Sequence, residues 1–326
     1  MRSQAIRVHE HGGPEVMKIE EVEVREPGPG EVRVRNRAVG VNFIDTYHRT
    51  GLYPLDLPHG IGTEAAGEVD AVGEGVSNLS VGDRVVYLSS SGPHTYAQHG
   101  FAAAERAIPL PDGISEETAA ACLLKGMTVE YLVQRTFPVR AGQTVLFHAA
   151  AGGVGLIACQ WLKAIGATII GTVSTDEKAE LARAHGCTHT IVYTREDVVE
   201  RVKALTDGAG VPVVYDSVGK STMAQSLDCL APRGMFVSFG NASGAPDPLE
   251  LLTLSQKGSL FATRPTLFTY VKSREELMAS SGALFERILA KDVKIEVNQR
   301  WPLAEAAEAH RALESRGTTG ATVLIP

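Results

Sequence analysis

Cysteine is scarce in this chain of 326 residues: four in all, Cys122, Cys159, Cys187 and Cys229, far apart and without a C-x-x-C pair. That argues against a zinc ribbon and a disulfide framework, and it reads the four thiols as small buried hydrophobes. Basic residues are not in excess either, since 38 acids face 31 Lys and Arg for a net charge of -7, spread along the chain. Nothing in that balance recommends a nucleic-acid or anionic-membrane surface. No run approaches the roughly 18 apolar residues of a membrane span, and Met1 to Arg7 lacks an apolar signal core, so the expected location is the cytoplasm. The ten histidines form no H-E-x-x-H helix motif, and His94 and His99 read as surface polar residues.

What is present is a strand that runs into glycines and then into a helix, Val145 to Ala158, reading V-L-F-H-A-A-A-G-G-V-G-L-I-A. Gly153-Val154-Gly155-Leu156-Ile157-Ala158 fits the dinucleotide fingerprint G-x-G-x-x-G/A, with Gly152 just before it. On that pattern Gly153 allows the tight turn, Gly155 lets the backbone approach a pyrophosphate, and Ala158 lets helix and strand pack closely. The amides and positive dipole end of the helix then hold the phosphates.

The surrounding alternation supports the motif. Strands are expected at Thr144 to Ala149, Thr168 to Val173, Thr190 to Tyr193, Val211 to Ser217, Met235 to Phe239 and Ser259 to Thr263. Helices are expected at Val154 to Ile165, Asp176 to His185, Asp197 to Thr206 and Met223 to Leu230, the first two stopped by Gly166 and Gly186. Six strands with crossovers make a doubly wound parallel sheet with its ligand at the carboxyl ends of the strands. The first 120 or so residues read differently, as short antiparallel strands such as Glu31 to Arg37 and Asp83 to Leu88 between Pro-Gly turns, the grammar of a small β domain. Glu117 to Gln134 reads as a helix joining the two domains. The last stretch carries a helix near Leu303 to Ser315 and a strand at Ala321 to Ile325, expected to return to the first domain because strand edges need partners.

These residues carry a resemblance over the full length. Its marks are Gly40 to Tyr47, Gly51-Leu52-Tyr53-Pro54, Gly62 to Gly67, Leu124 to Thr128, the Ala149 to Gly155 turn and Asp216-Ser217-Val218-Gly219. On them the chain resembles the medium-chain dehydrogenase/reductase superfamily, and within it the NADPH:quinone oxidoreductase branch that includes zeta-crystallin and bacterial quinone oxidoreductases. The resemblance implies an α/β chain with a GroES-like, mostly antiparallel catalytic domain at 1–125, a Rossmann NADPH-binding domain at 126–265 and a return segment at 266–326. It also implies a homodimer, for which Met235 to Phe239 and Ser259 to Thr263 are expected to pair edge to edge across a two-fold. In the zinc alcohol dehydrogenases of the superfamily a cysteine, a histidine and a cysteine bind the catalytic metal, and Asn42, Thr63 and Leu124 stand at the matching positions here. No metal is expected, so the acceptor should already be electron-poor, as quinones are. Two other readings stay open: a reductase of enones or alkenals, and a non-catalytic NADPH-binding protein with a structural or RNA-associated role.

The resemblance places Asn42, Tyr47, Tyr53 and Thr128 near the nicotinamide. By residue type alone, Asn42 is a turn residue, the tyrosines are anchored aromatics, and Thr128 is a helix hydroxyl bonded to its own backbone. Lys125 reads equally as a substrate contact or as a partly exposed helix lysine. Cofactor choice is argued from charge: no acid stands at the tip of the second strand, where Ser174 offers a hydroxyl, Lys178 a cation and Tyr193 a ring at the end of the next strand. Ser174-x-x-Glu177 also fits a capping box, and Asp176 fits either a ribose ligand or a first-turn acid on the helix dipole. Arg264 and Arg316 are candidates to close on the cofactor, and Ser217, Phe239, Gly240 and Asn241 lie at strand ends where backbone amides should matter most.

Overall fold

The computed structural model describes residues 1–89 and 94–326. The chain divides into two compact units, one made of Met1–Met127, Ser273–Leu289 and Ile295–Pro326, the other of Thr128–Lys272 and Ala290–Lys294. The sequence reading put the first junction at 125/126 and began the return at 266; the return into the first unit starts at Ser273, and 290–294 stay with the second.

In the first unit, β1 (Arg2–Val8) pairs antiparallel with β2 (Met17–Glu23). The long β3 (Glu31–Val41) leads into α1 (Phe43–Thr50), which ends on Gly51 in the left-handed conformation, φ 78°. The short β4 (His59–Gly60) completes a sheet in the order β2-β1-β4. β5 (Glu64–Val72), β6 (Arg84–Leu88), β7 (His99–Ala103) and β8 (Ala107–Pro109) build antiparallel onto β3 and onto each other, as the alternating segments predict. Their inward side chains, among them Val32, Val34, Val39, Val69 and Val85, form one buried core. α2 (Glu116–Glu130) then runs on through a π-helical turn at Tyr131–Thr136.

The second unit is the doubly wound sheet. β9 (Thr144–Phe147), α3 (Gly153–Ile165), β10 (Thr168–Val173), α4 (Asp176–Ala184), β11 (His189–Val192), α5 (Val198–Leu205), β12 (Val211–Asp216), α6 (Met223–Asp228), β13 (Leu230–Ser238), α7 (Leu251–Gln256), β14 (Phe261–Thr263) and α8 (Leu267–Tyr270) follow in turn. The six strands are parallel and lie in the order β11-β10-β9-β12-β13-β14. β9 and β12 are central neighbours, so the strand order reverses where the glycine turn sits, the place at which such sheets bind ligands. Gly166 and Gly186 take φ values of 88° and 99° and stop α3 and α4 as expected. The expected helix at Met223 to Leu230 is two residues shorter, because Leu230 already begins β13.

The tail returns as the edge argument requires. After α9 (Arg274–Leu289), β15 (Val297–Pro302) and α10 (Ala306–Glu314), β16 (Ala321–Ile325) pairs antiparallel with β3, Val323 opposite Gly40. Among the described residues no helix is long and apolar enough to cross a membrane.

Candidate active site

The glycine turn is built differently from the simple reading of its motif. Ala149, not a glycine, takes the left-handed conformation, φ 55°, immediately after β9. Gly152 is the N-cap of α3 with an ordinary φ of -79°, its N–H donates to the Ala149 carbonyl at 3.0 Å, and no side chain caps this helix. Gly153 and Val154 therefore open the first turn, where amides have no partner within the helix. Gly155 is buried, and a Cβ there would lie 2.3 Å from the Ala149 carbonyl oxygen and 2.7 Å from the Ala150 backbone. The close packing of α3 on its own entry turn by itself requires a glycine there.

A polar net that the sequence reading missed anchors this turn from below. His148 is buried, with Nδ1 2.9 Å from Thr172 Oγ1 and Nε2 3.0 Å from Ser226 Oγ. The Ser226 hydroxyl donates to Asp216 Oδ2 at 2.8 Å, so it accepts from His148 and assigns the ring proton to Nε2. Burial holds this imidazole below its usual pKa, against the pull of the Asp216 carboxylate. Asp216 Oδ1 accepts from the Val218 and Gly219 N–H groups at 2.8 and 3.0 Å and from Thr222 Oγ1 at 2.9 Å. β9, β10, β12 and α6 are thereby locked together at their ligand ends. A histidine and an aspartate inside two apolar strands were the available signal.

The strand-end candidates are largely occupied with one another. The Phe239 N–H donates to the Asp216 carbonyl at 2.8 Å, so that amide belongs to the fold, a correction to the expectation that it serves a ligand. A Cβ on Gly240 would meet the Ser217 carbonyl oxygen at 2.4 Å. Arg264 donates to Ser238 Oγ at 2.8 Å and to the Gly240 carbonyl at 2.9 Å. With the Asn241 amide turned so that its nitrogen donates to the Gly240 carbonyl, its oxygen accepts from Arg264 at 3.2 Å. Arg264 therefore braces the β13 end within the second unit. Arg316, in the first unit, is exposed at φ 60° just past α10.

At the tips of β10 and β11 the helix cap is Thr175, whose hydroxyl accepts from the Lys178 N–H at 3.3 Å, and not Ser174. Ser174 is half-buried, and its carbonyl accepts from Thr194 Oγ1 at 3.0 Å. Tyr193 is exposed, and its N–H extends the ladder to the Val173 carbonyl at 3.1 Å. Asp176 is an exposed ion pair with Arg195, whose guanidinium holds the carboxyl below its usual range.

In the first unit Asn42 stands at the N-cap position of α1, and its amide donates to Glu64 Oε1 at 2.8 Å. Glu64 is fully buried and also accepts from the Leu124 N–H at 2.7 Å and from Lys125 Nζ at 3.3 Å. Lys125 is therefore the buried counter-ion of Glu64, where a substrate contact or a partly exposed lysine was expected. Asp45 reaches back to the Asn42 N–H at 2.8 Å and accepts from Thr63 Oγ1 at 2.7 Å and Tyr96 Oη at 3.2 Å. The chain of bonds continues from Tyr96 to His310 Nε2 at 2.9 Å, from Arg49 to His310 Nδ1 at 2.9 Å, and from Arg49 to Glu314 at 2.7 Å. Because arginine only donates, His310 carries its proton on Nε2 and gives it toward Tyr96. Burial pushes His310 down to about 3, aided by Arg49, so the ring is neutral. Tyr47 packs edge-on against Tyr53 at 5.2 Å. Thr128 is buried in the second unit and hydrogen-bonds the Tyr131 side chain.

Burial raises the Asp45 carboxyl to about 7 from 3.8, overriding the Thr63 and Asn42 donors that favour its charge, with Glu64 adding to the rise. A folded-state pKa above the unfolded one means that folding favours the protonated form. That contribution is complete below about pH 4 and is lost as pH climbs to about 7. Asp45→Asn does not titrate, so urea unfolding at pH 5 and pH 7 should show wild type losing about 2 kcal/mol relative to the variant. A difference that does not change with pH would show that Asp45 stays ionised in the fold.

Asn42, Thr63 and Leu124 do not fit a catalytic zinc, which takes thiolate, imidazole or carboxylate donors. The amide and the hydroxyl are instead bonded to Glu64 and Asp45. His185 and His189 are four residues apart but straddle the end of α4 at Gly186. Among the described residues no group of three or more His, Cys, Asp or Glu could hold a metal.

Two families match the chain: an alcohol dehydrogenase GroES-like domain over residues 28–139 and a zinc-binding dehydrogenase over residues 153–276. A quinone oxidoreductase of Pseudomonas aeruginosa is 56% identical over 326 residues, covering 99% of this chain and 100% of that protein. A 2-haloacrylate reductase of a Burkholderia species is 47% identical over 327 residues, 98% of each. The crystal structure of Escherichia coli quinone oxidoreductase complexed with NADPH is 51% identical with a TM-score of 0.97, covering 99% of this chain and 100% of that one.

Proposed function

We infer, from the premise that the chain belongs to the quinone oxidoreductase branch of the medium-chain dehydrogenase/reductase superfamily, that it is an NADPH-dependent quinone reductase. The observation that carries the reading is the replacement of a metal donor set by Asn42 and Thr63, each committed to a buried carboxylate, in a chain that keeps the full nucleotide-binding sheet. A site without a Lewis acid suits an acceptor that needs none.

NADPH, when bound, supplies hydride to the acceptor. The protein's part is to bind and orient. The uncapped first turn of α3, at Gly152, Gly153 and Val154, offers amides and a helix dipole to the phosphates. The net of His148, Ser226 and Asp216 keeps that turn from shifting, and a misplacement of about 1 Å costs on the order of 100-fold in rate. Ser174, Lys178 and Tyr193 line the adenosine-ribose end. Asn42 presents an amide whose orientation Glu64 fixes, and donors held in place aid most where charge grows on an acceptor oxygen. Tyr47, Tyr53 and Thr128 are the further candidates for positioning, with Ser217, Gly240, Asn241, Arg264 and Arg316 on the cofactor side.

A panel of quinones and enones assayed with NADPH tests the acceptor. Saturable turnover of quinones is expected, and turnover confined to enones would favour the second reading, which the likeness to the 2-haloacrylate reductase supports.

The protein is expected to work in the cytoplasm as a homodimer. β13 is paired on both sides, so the expectation that it joins a two-fold strand edge is withdrawn. β14 closes the sheet, and Phe261 on it is 58% exposed; Leu251 and Leu252 of α7 are 81% and 64% exposed. An open apolar edge of this kind is what a partner strand covers. Sedimentation should give a dimer at micromolar concentration; a monomer there would remove the idea.

A further inference from the structure

Selecting a phosphorylated cofactor at the adenosine ribose is a problem of charge, and Asp176 is badly placed for it. It opens α4, two residues past Ser174 and two before Lys178. An acid at the end of this second strand is the group with which NAD enzymes hold a ribose hydroxyl, and its charge repels a phosphate. In this structure the carboxylate is already engaged. Arg195 donates to both oxygens, at 2.7 and 2.5 Å, in the fork geometry that only a guanidinium provides.

The arginine arrives from the turn after β11, and that turn is fastened to the β10 loop at two more points. Tyr193 N–H bonds the Val173 carbonyl at 3.1 Å and Thr194 Oγ1 the Ser174 carbonyl at 3.0 Å. Ser174, Asp176, Lys178, Tyr193 and Arg195 are thus set by one rigid junction. The pair itself is 56% and 64% exposed, where ion pairs add little to folding. Its consequence is for the local field. Arg183 also acts on Asp176, and Glu196 on Arg195, but neither shares the fork.

We propose that Arg195 is the positioning residue that makes this pocket selective for NADPH, by clamping the Asp176 carboxylate away from the ribose and cancelling its charge toward a 2′-phosphate. The inference rests on the reading of the chain as an NADPH enzyme. With the clamp closed, Asp176, Arg195 and Lys178 together are positive; with Arg195 gone, a bare carboxylate faces the phosphate and is free to accept from a ribose hydroxyl.

The test is kcat/KM for NADPH and for NADH with 1,4-benzoquinone as acceptor. Arg195→Gln should lower the NADPH over NADH preference about ten-fold, equivalent to about 1.4 kcal/mol, mainly through KM for NADPH. Adding Asp176→Asn to that variant should return the preference to within about three-fold of wild type, because the two residues act as one unit. An unchanged preference in Arg195→Gln, or a loss that Asp176→Asn does not recover, overturns the proposal. A wild-type enzyme without any preference for NADPH would remove the cofactor reading and this inference together, whereas a selective wild type with an unaffected Arg195→Gln removes this inference alone.

Discussion

Gly155→Ala should cost at least about 100-fold in kcat/KM for NADPH while the protein remains folded. The added methyl would stand 2.3 Å from the Ala149 carbonyl oxygen and 2.7 Å from Ala150 backbone atoms, which have no rotamer with which to move aside. Overpacking of this sort costs about 1 to 3 kcal/mol, tolerable for a domain with a large core. The strain is relieved only by moving the start of α3 relative to β9, and that start carries the amides proposed to hold the phosphates. Titration of NADPH by protein fluorescence, together with steady-state rates and circular dichroism, checks the outcome. Near-normal affinity and rate in a folded Gly155→Ala variant would show that the α3 turn does not position the cofactor.

Lys125→Met should lower the melting temperature by about 10 °C, because it strips the Glu64 carboxylate of its counter-ion in a fully buried place. Breaking one half of a buried pair costs about 3 to 5 kcal/mol, whereas replacing both halves is often neutral. Glu64→Gln combined with Lys125→Met should therefore recover part of the loss, because no buried charge is left unpaired, while the single glutamine oxygen keeps only one of the two donors that meet Oε2 and Oε1, the Leu124 N–H or the Asn42 amide. Thermal unfolding of the single and double variants decides it. A single variant that melts with wild type would mean that the Glu64 charge is satisfied without Lys125.

The same two sites show what a linear sequence displays and what it hides. The turn after β9 was legible as a motif because glycine spacing is local chemistry, yet the roles within it were not. Which residue takes positive φ, and which glycine is excluded from bearing a side chain, depends on how α3 lies against the turn, and that is a contact between segments. The cap at Thr175 was misplaced by one residue for a similar reason: serine and threonine side by side both fit the pattern, and only the backbone angles choose. The polar nets of His148 with Asp216, and of Asp45 with Glu64 and Tyr96, could not be read from the sequence, although Asp45, Glu64 and Asp216 stand among the marks of the resemblance. Their partners lie 10 to 78 residues away, in Ser226, Thr172, Thr63 and Tyr96.

Taken alone, the amino-acid order settled the alternation of strands and helices, the parallel sheet and the return of the tail, since periodicity, turn residues and glycine spacing act over a few neighbours, while the family followed from the resemblance of its motifs. It also settled that Asn42, Thr63 and Leu124 make no zinc set, because donor chemistry is a property of residue type. Tertiary structure alone decided that Lys125 is a buried counter-ion, that Arg264 braces β13, that β13 has no open edge, and that Asp176 is held by Arg195. The reason is physical: the energy of a charge or a polar group depends on burial and on partners brought together by folding, and neither quantity is written at the residue itself.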